Sequence, residues 1–362
     1  MSMTTPELVA VEHVAGEPPA MGEGRLRDTL GRAITDLRIS ITDRCNYRCV
    51  YCRTGNEGAQ FTELPIQDYL RMIRLFVSLG VEKVRLTGGE PLLRAGLVEM
   101  VEELAVMRTA YLPDGTPTVD GLPLDLALTT NGHLLEGLAA PLKRAGLNRV
   151  TVSMDAVDPA IFAAITRVPR SYERVLAGMR AAREVGLGPV KVNCVLLRGF
   201  NDSQIEAFGE FSRAEGVIVR FIEFMPLEED RTWKPETVVR MDEIVARLNA
   251  VRPLRELPPN AASETAKRFT FDDGIGEIGI IAPVSRPFCG HCSRVRLTSD
   301  GKIRTCLFSQ SDHDLAGLMV RGGGDEELKA YIRQVVMRKE ARHHIGEAGF
   351  EKPSRSMVHI GG

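Results

Sequence analysis

The sequence predicts an α/β protein built on a parallel sheet, and three observations lead there. Six short segments are rich in Val, Ile and Leu and bounded by turn residues, as strands buried on both faces are. Helical periodicity fills the intervals between them. Small or polar residues gather where each segment ends. Strand–helix alternation of this kind makes right-handed βαβ units. A full barrel needs eight units, so six give a barrel missing two, or an open doubly wound sheet.

The expected strands are Leu37–Thr42, Val81–Thr87, Leu124–Thr130, Arg149–Met154, Pro189–Leu197 and Val217–Met225. Between them, Ile66–Leu79 has apolar positions at helical spacing and stops at Gly80. Asp158-Pro159 is an N-cap followed by a first-turn proline. Tyr172–Val185 ends at Gly186, and a helix opened by Ser203 closes at Gly216. The segment Ala110–Gly121 is turn-rich and reads as an inserted loop. After Pro226 the alternation stops. Residues 237–249 read as helix, Glu277–Val284 as strand, and Arg294–Leu307 as a hairpin turning at Ser299-Asp300-Gly301. Asp325–Met337 reads as a last helix. The expected organisation is an N-terminal extension (1–27), a partial barrel (28–226), an α+β C-terminal domain (227–341) and a tail (342–362) without regular period.

Composition excludes several classes. The 362 residues are 44% hydrophobic and 26% charged, which is ordinary for a globular chain. Lys and Arg number 46 against 48 Asp and Glu, so no global basic field favours nucleic acid or an anionic membrane. No stretch approaches the roughly 18–20 apolar residues of a membrane span. The first 24 residues lack Lys and Arg and carry Glu7, Glu12, Glu17 and Glu23, which does not suit a secretory signal. The chain therefore reads as cytoplasmic.

The seven cysteines divide into three groups. Cys45, Cys49 and Cys52 are spaced C-x3-C-x2-C. Cys289, Cys292 and Cys306 are spaced C-x2-C-x13-C, and Cys194 stands alone inside a strand, where packing suits it. In a reducing compartment such trios suggest metal ligands. A structural zinc site wants four ligands, and iron–sulfur clusters are normally held by four thiolates. Three thiolates on a four-iron cluster leave one iron open to another ligand. His291 could complete a zinc site at the second trio, but the tight C-x2-C turn constrains its ring.

In a βα barrel the active site lies at the C-terminal ends of the strands. The residues there are Thr42-Asp43-Arg44 with the first trio, Gly88-Gly89-Glu90-Pro91, Thr129-Thr130-Asn131-Gly132, Ser153 with Asp155, Lys191 with Asn193, and Arg220 with Met225. Gly88-Gly89 would let backbone approach a ligand with its amides free to donate. Lys83 and Arg85 share a strand face, as do Arg294 and Arg296, and Arg38 precedes the first cysteine by seven residues. Inward-pointing cations need an anion, and a triphosphate would satisfy several. His343-His344 follows the charges Arg338, Lys339, Glu340 and Arg342, and reads as solvated tail.

At this point the residues resemble a known family. Cys45, Cys49 and Tyr51-Cys52, followed by Gly88-Gly89-Glu90-Pro91, resemble the radical S-adenosylmethionine (SAM) enzymes. The second trio, the Arg294-x-Arg296 pair and a terminal Gly361-Gly362 are similar to the GTP 3′,8-cyclase family of molybdenum cofactor biosynthesis. The resemblance implies an incomplete (βα)6 TIM-like radical SAM barrel with a C-terminal α+β extension carrying a second iron–sulfur cluster. One departure is Arg53-Thr54, where the family usually has Met-Pro after the third cysteine.

By that resemblance, Cys45, Cys49 and Cys52 hold a 4Fe–4S cluster whose open iron binds SAM. Tyr51, Gly88, Gly89, Glu90, Ser153 and Met225 belong to the SAM site. Cys289, Cys292 and Cys306 hold a second 4Fe–4S cluster whose open iron contacts the guanine of GTP. Arg38, Lys83, Arg85, Thr129, Lys191, Arg220, Arg294 and Arg296 would hold GTP. Gly361-Gly362 would reach into the site. SAM cleavage then gives a 5′-deoxyadenosyl radical, which takes hydrogen from ribose C3′, and the carbon radical attacks guanine C8. The implied partners are an electron donor of flavodoxin or ferredoxin type, a downstream cyclic pyranopterin monophosphate synthase, and a second copy of the chain as homodimer. Two rivals remain at this level. One is another radical SAM enzyme with an auxiliary cluster. The other is a non-catalytic iron–sulfur or zinc nucleotide-binding protein.

Overall fold

The computed structural model describes residues 24–52, 60–61, 63–228 and 233–360. Most of the N-terminal extension, Arg53-Thr54 and Gly361-Gly362 lie outside the described residues. The first half alternates as the sequence predicts: β1 (Asp36–Ser40), α1 (Ile66–Ser78), β2 (Lys83–Thr87), α2 (Leu97–Ala105), β3 (Asp125–Thr130), α3 (Leu135–Arg144), β4 (Arg149–Ser153), α4 (Pro159–Thr166), α5 (Tyr172–Glu184), β5 (Lys191–Leu196), α6 (Ile205–Glu215) and β6 (Ile218–Glu223). The strands carry the apolar runs because helices cover the sheet; Leu37, Val84, Leu128, Val150, Val192 and Val219 are buried. Asp158 caps α4 through hydrogen bonds from the Ala160 and Ile161 amides (2.8 and 2.9 Å). Gly216 ends α6 at φ +60°, in the left-handed region that glycine reaches without strain.

The second half adds α7 (Met241–Val251), β7 (Leu254–Leu257), β8 (Ala266–Phe271), β9 (Glu277–Ile281), β10 (Arg294–Leu297), β11 (Lys302–Arg304), β12 (His313–Asp314), α8 (Leu315–Val320), α9 (Asp325–Val336) and α10 (Met357–Ile360). Helix α7 starts later than the sequence suggests. Its first amide, on Met241, is taken by the Glu223 carboxylate at the end of β6 (3.0 Å). The tail, expected to be irregular, ends in the short α10.

The sequence assigns 227–341 to an added segment, yet its strands continue the same sheet. The order is β12-β11-β10-β1-β2-β3-β4-β5-β6-β9-β8-β7. Strand β9 pairs parallel to β6, and β10 parallel to β1. The six expected parallel strands thus gain one on each edge. Although β9 and β10 follow each other in the chain, they lie at opposite edges. The connection 282–293 therefore runs from one side of the parallel strands to the other, and it carries Cys289 and Cys292. Among the described residues, no helix is long and apolar enough to cross a membrane.

Candidate active site

The polar strand ends face one cavity of about 290 Å³ that is open to solvent. Both cysteine trios line it, all six as free thiols. Cys45, Cys49 and Cys52 stand on the loop after β1. That loop is pinned by amides of Arg48 and Val50 to carbonyls at the end of α4, Thr166 and Ile165 (both 3.1 Å). The Tyr47 amide donates to Cys45 Sγ (3.4 Å). Cys194 is fully buried in β5 and does not line the cavity.

Gly88 and Gly89 line the cavity, but their role differs from the expectation. The Gly89 amide donates to the Thr42 carbonyl (2.8 Å) and the Glu90 amide to the Arg44 carbonyl (2.7 Å), so these donors are not free for a ligand. A Cβ on Gly88 would run into the Thr42 carbonyl, and one on Gly89 into that of Arg44. The close approach is to the cysteine loop itself, and Gly88, at φ +154°, allows it. Glu90 does not line the cavity. It is fully buried, accepting from the Leu92 and Asn131 amides and the Thr130 hydroxyl (2.9, 2.6 and 2.7 Å). Burial nevertheless pushes its carboxyl up to about 7.

Cys306 follows β11 and faces Cys289 and Cys292 in the same cavity. Arg32 fixes this corner by donating to the carbonyls of Cys289, Glu340 and Ala341 (2.7, 2.7 and 2.9 Å). Lys339 and His343, read from sequence as solvated, are buried here instead. The Lys339 ammonium donates to the Arg294 carbonyl (2.9 Å) and to that of Thr305. The His343 ring packs 5.3 Å from that of Phe308. Burial alone would raise the Cys292 thiol, but Lys339 and Arg294 overcome it and hold the thiol below its usual range.

The cations form a row. Arg38 on β1 is in register with Arg296 on β10 and with Arg85 on β2. Like charges directly opposite on neighbouring strands repel. Among the described residues Arg85 donates to the hydroxyls of Thr129 and Thr151 (3.2 and 3.3 Å), and Arg220 to Asn193 Oδ1 (2.9 Å) and the Thr151 hydroxyl (3.4 Å). Arg294 reaches the Ser263 carbonyl (2.9 Å). Among the described residues Arg38 Nε has no hydrogen-bond partner, and it is shielded by them from solvent. Burial lowers Arg38, Arg220 (to about 9) and Arg296 (to about 10), and neighbouring arginines lower each further. Charges so crowded call for an anion.

Of the sequence candidates, the structure brings Arg38, Arg85, Thr129, Arg220, Arg294 and Arg296 to the cavity with Tyr51, Ser153 and Met225. Lys83 and Lys191 share strand faces with the lining residues Arg85 and Asn193 but do not line the cavity themselves. Lys191 is held down to about 8 by burial and by Arg220. Sequence reasoning missed Lys339, His343, Phe288 and the tail contacts. Met357 and Val358 line the cavity, and the Ile360 carbonyl accepts from Arg296 (3.3 Å). Arg355 anchors this tail on Asp300 with a two-pronged bond (2.8 and 2.9 Å). The isolated basic residue in a tail without period gave no signal of that.

The donor sets suit iron–sulfur clusters. Each trio offers three thiolates on one wall. Among the described residues no three His, Cys, Asp or Glu converge on a single ion. A four-iron cluster binds each thiolate at a different iron, so its ligands need not converge.

Comparison with known proteins agrees with this geometry. Residues 39–212 match the Radical SAM superfamily and 217–345 match Molybdenum Cofactor Synthesis C. The fold superposes on Streptococcus suis SuiB bound to S-adenosylmethionine with a TM-score of 0.57 at 14% identity, covering 83% of this chain and 68% of that one. The barrel and its first trio thus define a radical SAM enzyme, with a 4Fe–4S cluster and SAM as its cofactors. Among its relatives, a GTP 3′,8-cyclase of Acidothermus cellulolyticus is 43% identical over 86% of this chain and 85% of its own. One from Corynebacterium glutamicum is 41% identical over 98% and 93%, and one from Xanthomonas campestris 39% over 87% and 91%. The chain belongs to the GTP 3′,8-cyclase family.

Proposed function

We propose that this chain converts GTP to (8S)-3′,8-cyclo-7,8-dihydroguanosine 5′-triphosphate, a step of molybdenum cofactor biosynthesis. One observation carries the reading. Two three-cysteine sets line one cavity, each short of a fourth cysteine, with a row of arginines in register on β10, β1 and β2 facing the same cavity. When bound, the two 4Fe–4S clusters and SAM supply the one-electron chemistry that joins ribose C3′ to guanine C8.

The chain's own residues bind, orient and exclude water. Cys45, Cys49 and Cys52 hold the first cluster, and Tyr51, Gly88, Gly89, Ser153 and Met225 shape the SAM pocket beside it. Glu90 supports that pocket from behind, by fixing the Thr130–Asn131 turn. Cys289, Cys292 and Cys306 hold the second cluster, where the guanine docks. Arg38, Arg85, Arg220, Arg294 and Arg296 neutralise the triphosphate, with Thr129 orienting Arg85. Lys83 and Lys191 add charge from the start of the same strand faces. Met357 and Val358 line the cavity and the Ile360 carbonyl meets Arg296, and Gly361-Gly362 would complete the site. A flavodoxin- or ferredoxin-type protein would supply electrons in the cytoplasm. A cyclic pyranopterin monophosphate synthase would take the product, and the chain would work as a homodimer.

The test is anaerobic turnover with and without Gly361-Gly362. Removing them should abolish cyclisation and leave both clusters in place. Full turnover by the truncated protein would remove the tail from the reading.

A further inference from the structure

Asp155 follows β4 and is 3% exposed. Its Oδ2 accepts the Tyr51 hydroxyl (2.7 Å) and its Oδ1 the Val195 amide in β5 (2.8 Å). Its own carbonyl is held by the Asn201 side chain (2.7 Å). The carboxylate is therefore fixed against the Cys49–Cys52 loop by the sheet. Among the described residues lining the cavity, Asp155 is the sole acid. The remaining charged liners are cations: Arg38, Arg85, Arg220, Arg294, Arg296 and Lys339.

The two trios thus lie in opposite fields. The first has a fixed carboxylate beside it, reached through the residue between two of its cysteines. The second has Lys339, with its ammonium on the carbonyls of Arg294 and Thr305, and Arg294 and Arg32 close by; one carboxylate, Glu340 on the Thr305 hydroxyl (2.7 Å), stands against these three cations beside Cys306. Adding an electron to a cluster adds negative charge. A nearby anion opposes this and a nearby cation favours it, and cluster potentials follow local charge and hydrogen bonding.

We infer that Asp155 is a positioning residue that also sets the first cluster's reduction potential below that of the second. This rests on the reading that both trios hold clusters. Once reduced, the first cluster would then be the stronger electron donor of the two. Through Tyr51, the same carboxylate fixes the loop that carries Cys49 and Cys52.

The test is a redox titration of the reconstituted full-length protein, followed by electron paramagnetic resonance. The signal that changes on adding SAM marks the first cluster, and the one that changes on adding GTP marks the second. A protein with no SAM-responsive signal would sink the functional reading itself, which separates that failure from this one. In the unmodified protein the SAM-responsive cluster should titrate at the lower potential; the reverse order overturns the inference. In Asp155→Asn its midpoint should rise by an amount equal to about tenfold in the reduced-to-oxidised ratio, about 59 mV for one electron. The GTP-responsive midpoint should stay in place. Tyr51→Phe keeps the charge and should show no such rise. An unmoved midpoint in Asp155→Asn, equal shifts of both clusters, or the same rise in Tyr51→Phe would each overturn it. Should Asp155→Asn fail to hold the cluster, the order of potentials in the unmodified protein still decides.

Discussion

Replacing Arg38 with methionine separates an anion site from a structural face, because the two give opposite changes in stability. Arg38 is flanked in register by Arg296 and Arg85 on strands about 4.8 Å away. With guanidinium groups roughly 7 Å apart and an effective dielectric of about 20, each repulsion is roughly 2.4 kcal/mol. Attraction to Asp36 offsets part of this, and it is among the causes that act on Arg38. Methionine keeps most of the stem's packing. The GTP-free protein should therefore gain about 1–3 kcal/mol, seen as a melting temperature a few degrees higher. GTP should lose charge-assisted contacts of about 1.5–3 kcal/mol, or about 10- to 150-fold in Kd. Anaerobic calorimetry measures both, by thermal scan without GTP and by titration with it. A variant that melts lower and binds GTP as before would refute the reasoning and make the row an ordinary solvated face.

Three more perturbations test other parts of the site. Lys191 is held near 8 by burial and Arg220, and a bound triphosphate favours its charged form, so GTP binding should take up a proton around pH 8 and weaken as pH rises further. Calorimetry in buffers of different ionisation heat should show that uptake, and Lys191→Arg should lose it. Arg355→Met removes the two-pronged bond to Asp300, so trypsin should cut the tail faster and turnover should fall at least tenfold with iron content unchanged. Buried Glu90 has its folded carboxyl raised to about 7 from 4.5. A raised value means its stabilising share is complete below about 4.5 and lost as pH climbs through 7, about 3 kcal/mol in all. Glu90→Gln should therefore gain stability relative to the parent across that window, as urea titration at each pH would show. A constant difference would contradict it.

The six central strands were legible because burial on both faces writes a continuous apolar run into each. The helix stops at Gly80, Gly186 and Gly216 were legible through backbone chemistry. The edge pairings of β9 and β10 were not, since no local pattern joins Asp36 to Arg294 or Arg220 to Gly279. That is why the link across the open side, with Cys289 and Cys292, could be read as a motif but not as a place. The cysteines, Arg38, Arg85 and Arg296 were readable by residue type and spacing. Lys339 and His343 were not, because a run of charges looks solvated until the second trio is seen to bury them. A second neighbour was not legible at Gly88-Gly89, although the pair was legible as a place of close backbone approach and lines the cavity. The backbone it admits belongs to Thr42 and Arg44.

The most direct test is iron content and product analysis on one anaerobically reconstituted sample. Two 4Fe–4S clusters per chain should be present. Formation of 5′-deoxyadenosine should depend on GTP, together with the 3′,8-cyclised nucleotide. Zinc at either trio, or SAM cleavage indifferent to GTP, would contradict the account.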